Sequence, residues 1–314
     1  MKKRIGLLAY GETGSAALRG LMNRFEVLWI IVPPEELQRE VQKSKGVEDL
    51  ARSINVRVVK TNSSQEIEKL IRESKPLAVV ISSYNKILPA KILSQSKFIN
   101  IHHGDLPNFR GRANINWAII LGKKEIGLIF HEAIPNLDEG SIYEQIRVPI
   151  TYSDTVRTVY EKFNKKIEKD VARVVQRVID GDLGIPQKGN ATYCCTRLPQ
   201  DGYIDWNKTS LEIYNLIRGV TKPYAGAFTF FEGKKMIIWE SEIPQNPPEF
   251  VGRIPGRVVA IHKDRGVEIL TGDSTLIIRT VSYNGEEQNA SNFINSVKKT
   301  LGVDMELIMK LLLS

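Results

Sequence analysis

A strand-like run ends in Phe98-Ile99-Asn100-Ile101-His102, then enters a polar turn, His103-Gly104-Asp105, and reaches Arg110-Gly111. Side chains alternate along a strand, so Asn100 and His102 share a face. At the carboxyl end of a strand an amide can donate to an oxyanion, and an imidazole can move a proton near neutral pH. A plainer role also fits, with His102 capping the strand end. Further along, Asp138 lies in Asn136-Leu137-Asp138-Glu139-Gly140, a turn between two strand-like runs. A carboxylate there can orient His102 and stabilise its charged form, or it can serve the turn alone.

The elements that must position these residues alternate in type. Strand signals cover Lys3 to Tyr10, Glu26 to Val32, Ile54 to Val59, Leu77 to Ser82 and Phe98 to His102. Helix signals cover Thr13 to Arg24, Ser64 to Glu73 and Pro89 to Gln95. This order predicts an α/β fold, a Rossmann-like, mostly parallel sheet with helices on both faces, with ligands beyond the carboxyl ends of the strands. Ile126 to Ala133 and Ile142 to Ile150 follow as strands. A long helix over Asp154 to Ile179 follows these, with Val156, Val159, Phe163, Ile167, Val171, Val174 and Val178 at helical spacing. After about residue 200, a short helix over Ser210 to Gly219 leads into short β-rich runs, among them Met236 to Glu240 and Leu276 to Val281. They predict a small OB-like β-barrel, closed by a terminal helix over Ser291 to Leu313. The expected domains are therefore 1–200 and 201–314.

The 314 residues include 44 basic and 36 acidic side chains, a net charge of +8, and 42% hydrophobic residues. Such composition is globular and excludes a chain that is mainly disordered. The charge favours anionic partners, although the basic pairs are scattered and suit a solvated surface. The only cysteines are the neighbours Cys194 and Cys195, so a disulfide scaffold is excluded and a reducing, cytoplasmic location is expected. No signal peptide or membrane span is expected. Tyr10-Gly11-Glu12-Thr13-Gly14 lacks dinucleotide-site spacing, so NAD is rejected, although the segment can still wall a substrate cleft. No Cys/His cluster has metal spacing, so no metal is expected. Trp206, Tyr224, Phe228, Phe230 and Trp239 read as barrel core rather than as base-stacking platforms.

Asn100-Ile101-His102, Leu106-Pro107-Asn108-Phe109-Arg110-Gly111 and Asp138-Glu139-Gly140 together resemble the folate-dependent formyltransferases, whose pattern is Asn-x-His, then Leu-Pro-x-x-Arg-Gly, then Asp-x-Gly. The resemblance implies a catalytic domain over 1–200 and a barrel domain with its terminal helix over 201–314. It implies 10-formyltetrahydrofolate as co-substrate, with Ser83, Tyr84, Asn85, Ile87 and Leu88 lining its pocket. It also implies His102 as general base, Asn100 as oxyanion donor and Asp138 as the group that holds the His102 tautomer. His103-Gly104-Asp105 departs from the Gly-Ser or Pro-Ser common in the family. His131 reads as a structural strand residue more than as a support for the site.

Within the family, Arg110 to Trp117 is most similar to the aminoarabinose formyltransferase of lipid A modification. The acceptor this implies is the primary amine of a UDP- or dTDP-linked amino sugar, in lipopolysaccharide biosynthesis. Arg110 and Arg112 would then pair with the diphosphate, with Trp117 beside them and Tyr10 or Tyr84 stacking on the base or pterin. The alternative is a methionyl-tRNA formyltransferase. Pro33 to Glu40, with three acids to one base, argues against a phosphate backbone, so nucleic acid is disfavoured. A homodimer is compatible with these features.

Overall fold

From the amino terminus run β1 (Lys3–Ala9), α1 (Gly11–Met22), β2 (Phe25–Val32), α2 (Lys45–Ser53), β3 (Arg57–Lys60), α3 (Ser64–Ser74), β4 (Ala78–Ser82), α4 (Ala90–Leu93) and β5 (Lys97–His103). Next come β6 (Arg110–Gly111), α5 (Asn114–Ile120), β7 (Glu125–Glu132), β8 (Ile142–Pro149), α6 (Val156–Ile179) and β9 (Tyr193–Cys194). This computed structural model describes residues 1–37, 45–84 and 86–303. The chain forms two compact units. One holds Met1–Ile115, Glu125–Ile150 and Thr158–Thr196; the other holds Asn116–Lys124, Thr151–Arg157 and the chain from Arg197 onward.

The first unit is built on a seven-stranded sheet of order β3-β2-β1-β4-β5-β7-β8. It is parallel from β3 to β5 and antiparallel from β5 to β8. β4 is buried throughout and β1 over its last five residues, which explains their near-continuous apolar sequence. The chain runs outward through β2 and β3, then returns to lay β4 on the free side of β1. That reversal opens a crevice at the carboxyl ends of β1 and β4, with β5 and His102 next in line. The β5–β7 register sets Asn100 directly opposite His131.

The second unit holds α7 (Ser210–Val220), whose start carries a reciprocal capping box between Thr209 and Glu212. Its strands are β10 (Ala227–Phe231), β11 (Lys234–Ile238), β12 (Ser241–Glu242), β13 (Val258–His262), β14 (Gly266–Leu270), β15 (Thr275–Ile278), β16 (Thr280–Tyr283) and β17 (Glu286–Asn289). They form two antiparallel sheets, β10-β11-β16-β17 and β12-β15-β14-β13, around a core that includes Trp206, Ile213, Phe231, Met236 and Ile278. The sequence expectation of a single cut near 200 misses the two earlier excursions. Their place in this unit has polar causes: Asn116 Nδ2 donates to Gly219 O at 2.8 Å, and Arg218 Nη1 donates to Thr151 O at 3.0 Å and Asp154 O at 2.7 Å.

Two expectations are corrected. Leu276 to Val281 is not one strand, because the chain changes sheets at Arg279, whose N–H donates to Glu240 O at 2.9 Å. The terminal helix does not form over the described part of its range. A single 3-10 turn at Ala290–Asn292 gives way to irregular chain, in which Leu301 N donates to Gly256 O at 2.8 Å and Ile294 and Leu301 are buried. Their spacing marks two separate anchors rather than a helical stripe. Residues 304–314 lie outside the described residues. Among the described residues no helix is long and apolar enough to cross a membrane.

The β1–β2 contact has a tight point. A Cβ on Gly6 would lie 2.2–2.7 Å from the Trp29 ring, and Trp29 Nε1 donates to Ser74 Oγ at 2.9 Å, which pins that ring. Gly6→Ala is expected to overpack the sheet and to cost about 1–3 kcal/mol or more. Urea unfolding checks this, and a wild-type midpoint would contradict it.

Candidate active site

His102 is 5% exposed and ends the buried part of β5. Its Nε2 lies 2.8 Å from the carbonyl oxygen of Phe109. A carbonyl only accepts, so Nε2 carries the hydrogen and donates it. The neutral ring therefore keeps its lone pair on Nδ1, 3.5 Å from Asp138 Oδ2. Two local features bring the carbonyl there. Phe109 has φ +60°, and Gly104 leaves the space, since a Cβ would come within 2.5 Å of His102 Nε2 and 2.7 Å of Phe109 O. Burial lowers the His102 pKa below the ordinary histidine value, against the raising pull of Asp138. The ring is thus neutral at neutral pH.

Asp138 sits at φ +51° in its turn. Gly111 N donates to its Oδ2 at 2.9 Å, and Gln187 Nε2 donates to the Asp138 and Gly140 carbonyls at 2.7 and 2.9 Å. Gly111 is held in turn by the pairing of β6 with β9, Arg110 opposite Tyr193 and Gly111 opposite Cys194. Burial pushes the Asp138 carboxyl up, but His131, the field of His102 and the Gly111 N–H outweigh it and hold the pKa at about 2. The carboxylate is therefore a fixed charge beside His102.

Asn100 Nδ2 donates to His131 Nε2 at 3.0 Å, and His131 Nδ1 donates to Glu132 O at 2.7 Å. The second Asn100 N–H makes only a long 3.4 Å contact with Asp138 Oδ1, which leaves it available to an incoming oxyanion. A neutral imidazole base, a permanent carboxylate and a half-free amide at one point can take a proton and stabilise developing negative charge, the needs of acyl-type transfer. The donor atoms of His102, His131 and Asp138 lie within 4.8 Å of one another, a geometry that could also hold a metal ion. Spacing along the chain hides this cluster because the three residues come from separate segments.

The other expected residues fare differently. Arg110 is corrected as a diphosphate ligand: it is 7% exposed, and its guanidinium donates to Glu139 Oε1 at 2.7 Å and Gln187 Oε1 at 2.9 Å. It braces the Asp138 turn instead. Arg112 is exposed. Trp117 belongs to the second unit, beneath Arg197 with the guanidinium carbon 4.9 Å from the ring centre. Tyr10 is 1% exposed, so its ring faces protein. Ser83 has φ +62° and Tyr84 is buried with its hydroxyl donating to Thr61 O at 2.7 Å. Leu88 is buried, Ile87 is 60% exposed, and Asn85 lies outside the described residues. Asp105 forms an ion pair with Arg147.

The tautomer of His102 is set by the Phe109 carbonyl, not by Asp138 as expected. Sequence reading missed that carbonyl, Asn114 and Gln187, and gave His131 a structural role. Only the register of β5 with β7 could have flagged His131. A backbone carbonyl has no sequence signature.

Residues 30–175 match the formyl transferase family, and residues 198–298 match the formyl transferase C-terminal domain. A protein named methionyl-tRNA formyltransferase from Caldanaerobacter subterraneus is 30% identical over 296 residues, covering 91% of this chain and 94% of its own. Among solved structures, HypX from Aquifex aeolicus in complex with tetrahydrofolic acid is 16% identical with a TM-score of 0.66. That match covers 95% of this chain but 48% of the HypX chain, so this protein spans about half its length. WlaRD, a sugar 3N-formyl transferase crystallised with dTDP and 5-N-formyl-THF, is 22% identical with a TM-score of 0.62, covering 88% of this chain and 97% of its own. At such identities the two structures show the fold alone. Several further relatives at 27–30% identity over most of their length also carry the name methionyl-tRNA formyltransferase. The nucleotide-sugar acceptor expected above is overturned by these relatives, and their names lend no support to the lipopolysaccharide role.

His103 makes a separate prediction. Its Nε2 is buried without a partner, and its ring packs edge-on to Phe163 at 4.8 Å and Tyr160 at 5.9 Å. Burial, then the field of His102, hold its pKa at about 3 against an ordinary 6.5. The unfolded chain binds this proton below pH 6.5 and the folded chain does not until about pH 3, so stability falls as pH drops through that window. His103→Phe removes the effect. Between pH 8 and pH 5 the wild type should lose about 2 kcal/mol relative to the variant. Parallel pH dependences in denaturant unfolding would contradict this.

Proposed function

The chain belongs to the formyl transferase family, and from that premise we propose that it transfers a formyl group from 10-formyltetrahydrofolate to the amino group of methionyl-tRNA. The observation that carries the acceptor is the group of relatives at 27–30% identity. The net charge of +8 suits a nucleic-acid partner. The acidic stretch after β2 does not oppose it as a charge count implies. Glu35 is paired with Lys60 at 2.8 Å, so one of the stretch's three acids is balanced by a base from β3. Gln38, Arg39 and Glu40 lie outside the described residues.

Each group then has a role. His102 Nδ1 takes a proton from the amine as its nitrogen bonds to the formyl carbon, while Nε2–H stays on the Phe109 carbonyl; as the bond from that carbon to folate N10 breaks, His102 returns the proton to N10 and tetrahydrofolate leaves. Asp138, 3.5 Å away, stabilises the imidazolium so formed. The Asn100 N–H that rests at 3.4 Å from Asp138 Oδ1 serves as the oxyanion donor, and losing such a donor costs roughly 3–4 kcal/mol of barrier. His131 holds the other N–H and keeps the amide from turning. Ser83, Tyr84, Ile87 and Leu88, beyond the carboxyl end of β4, line the folate pocket.

Purified protein with 10-formyltetrahydrofolate and charged initiator tRNA should yield formyl-methionyl-tRNA by mass spectrometry, and His102→Ala should lower turnover about 10²–10⁴-fold. Unformylated tRNA would reject the acceptor. His102 works as the neutral form, so activity falls as pH drops through its lowered pKa. The acid limb of kcat/KM should therefore lie below pH 6.5. Asp138→Asn removes the charge that raises the His102 pKa, so it should shift that limb to lower pH while lowering kcat. A limb that stays in place or moves up would contradict the assignment.

A further inference from the structure

Asn114, the first residue of α5, is 5% exposed, and its side chain faces the protonated nitrogen of His102. Its Nδ2 donates to Phe109 O at 2.9 Å and reaches Gly111 O at 3.4 Å, and it lies 3.0 Å from His102 Nε2. Its Oδ1 is buried without a hydrogen-bond partner. Turned over, the amide would set that oxygen where Nδ2 now lies, 3.0 Å from the protonated Nε2 of His102. Here the amide is turned the other way, and an acceptor is left unpaired, an arrangement that costs stability and calls for a reason. The reason lies in the Phe109 carbonyl, which has two lone pairs: one takes the Nε2–H of His102, the other takes Nδ2–H of Asn114.

We propose that Asn114 is a positioning residue for formyl transfer: it clamps the Phe109 carbonyl so that His102 keeps its hydrogen on Nε2 and its lone pair on Nδ1. The inference rests on the proposed role of His102 as base. Phe109 at φ +60° is strained for a non-glycine residue, so its carbonyl needs partners to stay where it is. Without the clamp, Phe109 can turn its carbonyl away. Nε2 then loses its fixed acceptor, and the ring populates the Nδ1–H form, which is no base toward the acceptor.

The groups that face His102 are Asp138, His131, His103 and Asp105. None of them is altered by changing Asn114, so shifts in His102 report on Asn114 itself. Two variants separate positioning from mere structure. Asn114→Leu keeps the bulk and removes the orphan oxygen together with the clamp. It should fold with a Tm equal to or above wild type, and kcat should fall about tenfold with KM for tRNA and donor within about twofold. Asn114→Asp puts a carboxylate against Nε2–H, and it should raise the His102 pKa, read by 13C NMR titration of the ring, by about one unit, with the acid limb of kcat/KM moving up in step.

Wild-type kcat in Asn114→Leu, or an unmoved His102 titration in Asn114→Asp, overturns the proposal. The NMR titration needs no substrate. If wild-type protein fails to formylate methionyl-tRNA, the functional reading fails while the Asn114 result still stands or falls on the titration.

Discussion

One hydrogen bond organises the site: His102 Nε2 donating to the Phe109 carbonyl at 2.8 Å. A buried imidazole has two neutral forms of similar energy, and only a fixed acceptor or donor chooses between them. A backbone carbonyl chooses without adding charge. The carboxylate of Asp138 is then free for a different task, waiting 3.5 Å from the nitrogen that gains the proton. Because burial lowers the histidine pKa while Asp138 is held at about 2, the pair rests as neutral base and charged neighbour rather than as a closed ion pair.

The fold serves this bond from two directions. The sheet delivers Asn100 and His102 at the end of β5 and sets His131 opposite Asn100 through the antiparallel register with β7. The loop that follows must double back so that Phe109 reaches over His102. Left-handed backbone at Phe109 and Ala113 is the local strain of that path. The short β6–β9 pairing, the Arg110 bridge to Glu139 and Gln187, and the Gly111 N–H on Asp138 hold the loop in place. Arg110 is thus a brace whose charge is spent inside the protein.

Most of the central sheet was legible in the sequence, because β1, β2, β4 and β5 are apolar runs with clear ends and their order with intervening helices dictates parallel pairing. The co-location of Asn100, His102 and Asp138 was legible as well, since strand alternation joins the first two and the turn after β7 returns the third. What escaped has physical causes. β6, β9 and β12 are two residues long and carry no periodicity. β15 and β16 join across a single residue and read as one strand. Where the described part of the expected terminal helix lies, Ile294 and Leu301 are instead buried separately in irregular chain. Arg110 and Asp138 look alike in sequence as charged turn residues, and only their partners show that one braces and the other faces the base. The charge count of the stretch after β2 omits Lys60, which comes from β3 and pairs with Glu35.

The measurement that bears most directly on this account is the tautomer of His102, read from the 15N shifts of its two ring nitrogens by long-range 1H–15N correlation at neutral pH. The account predicts a pyrrole-like, protonated Nε2 and a pyridine-like Nδ1. A protonated Nδ1 with a bare Nε2, or an imidazolium at neutral pH, would contradict it.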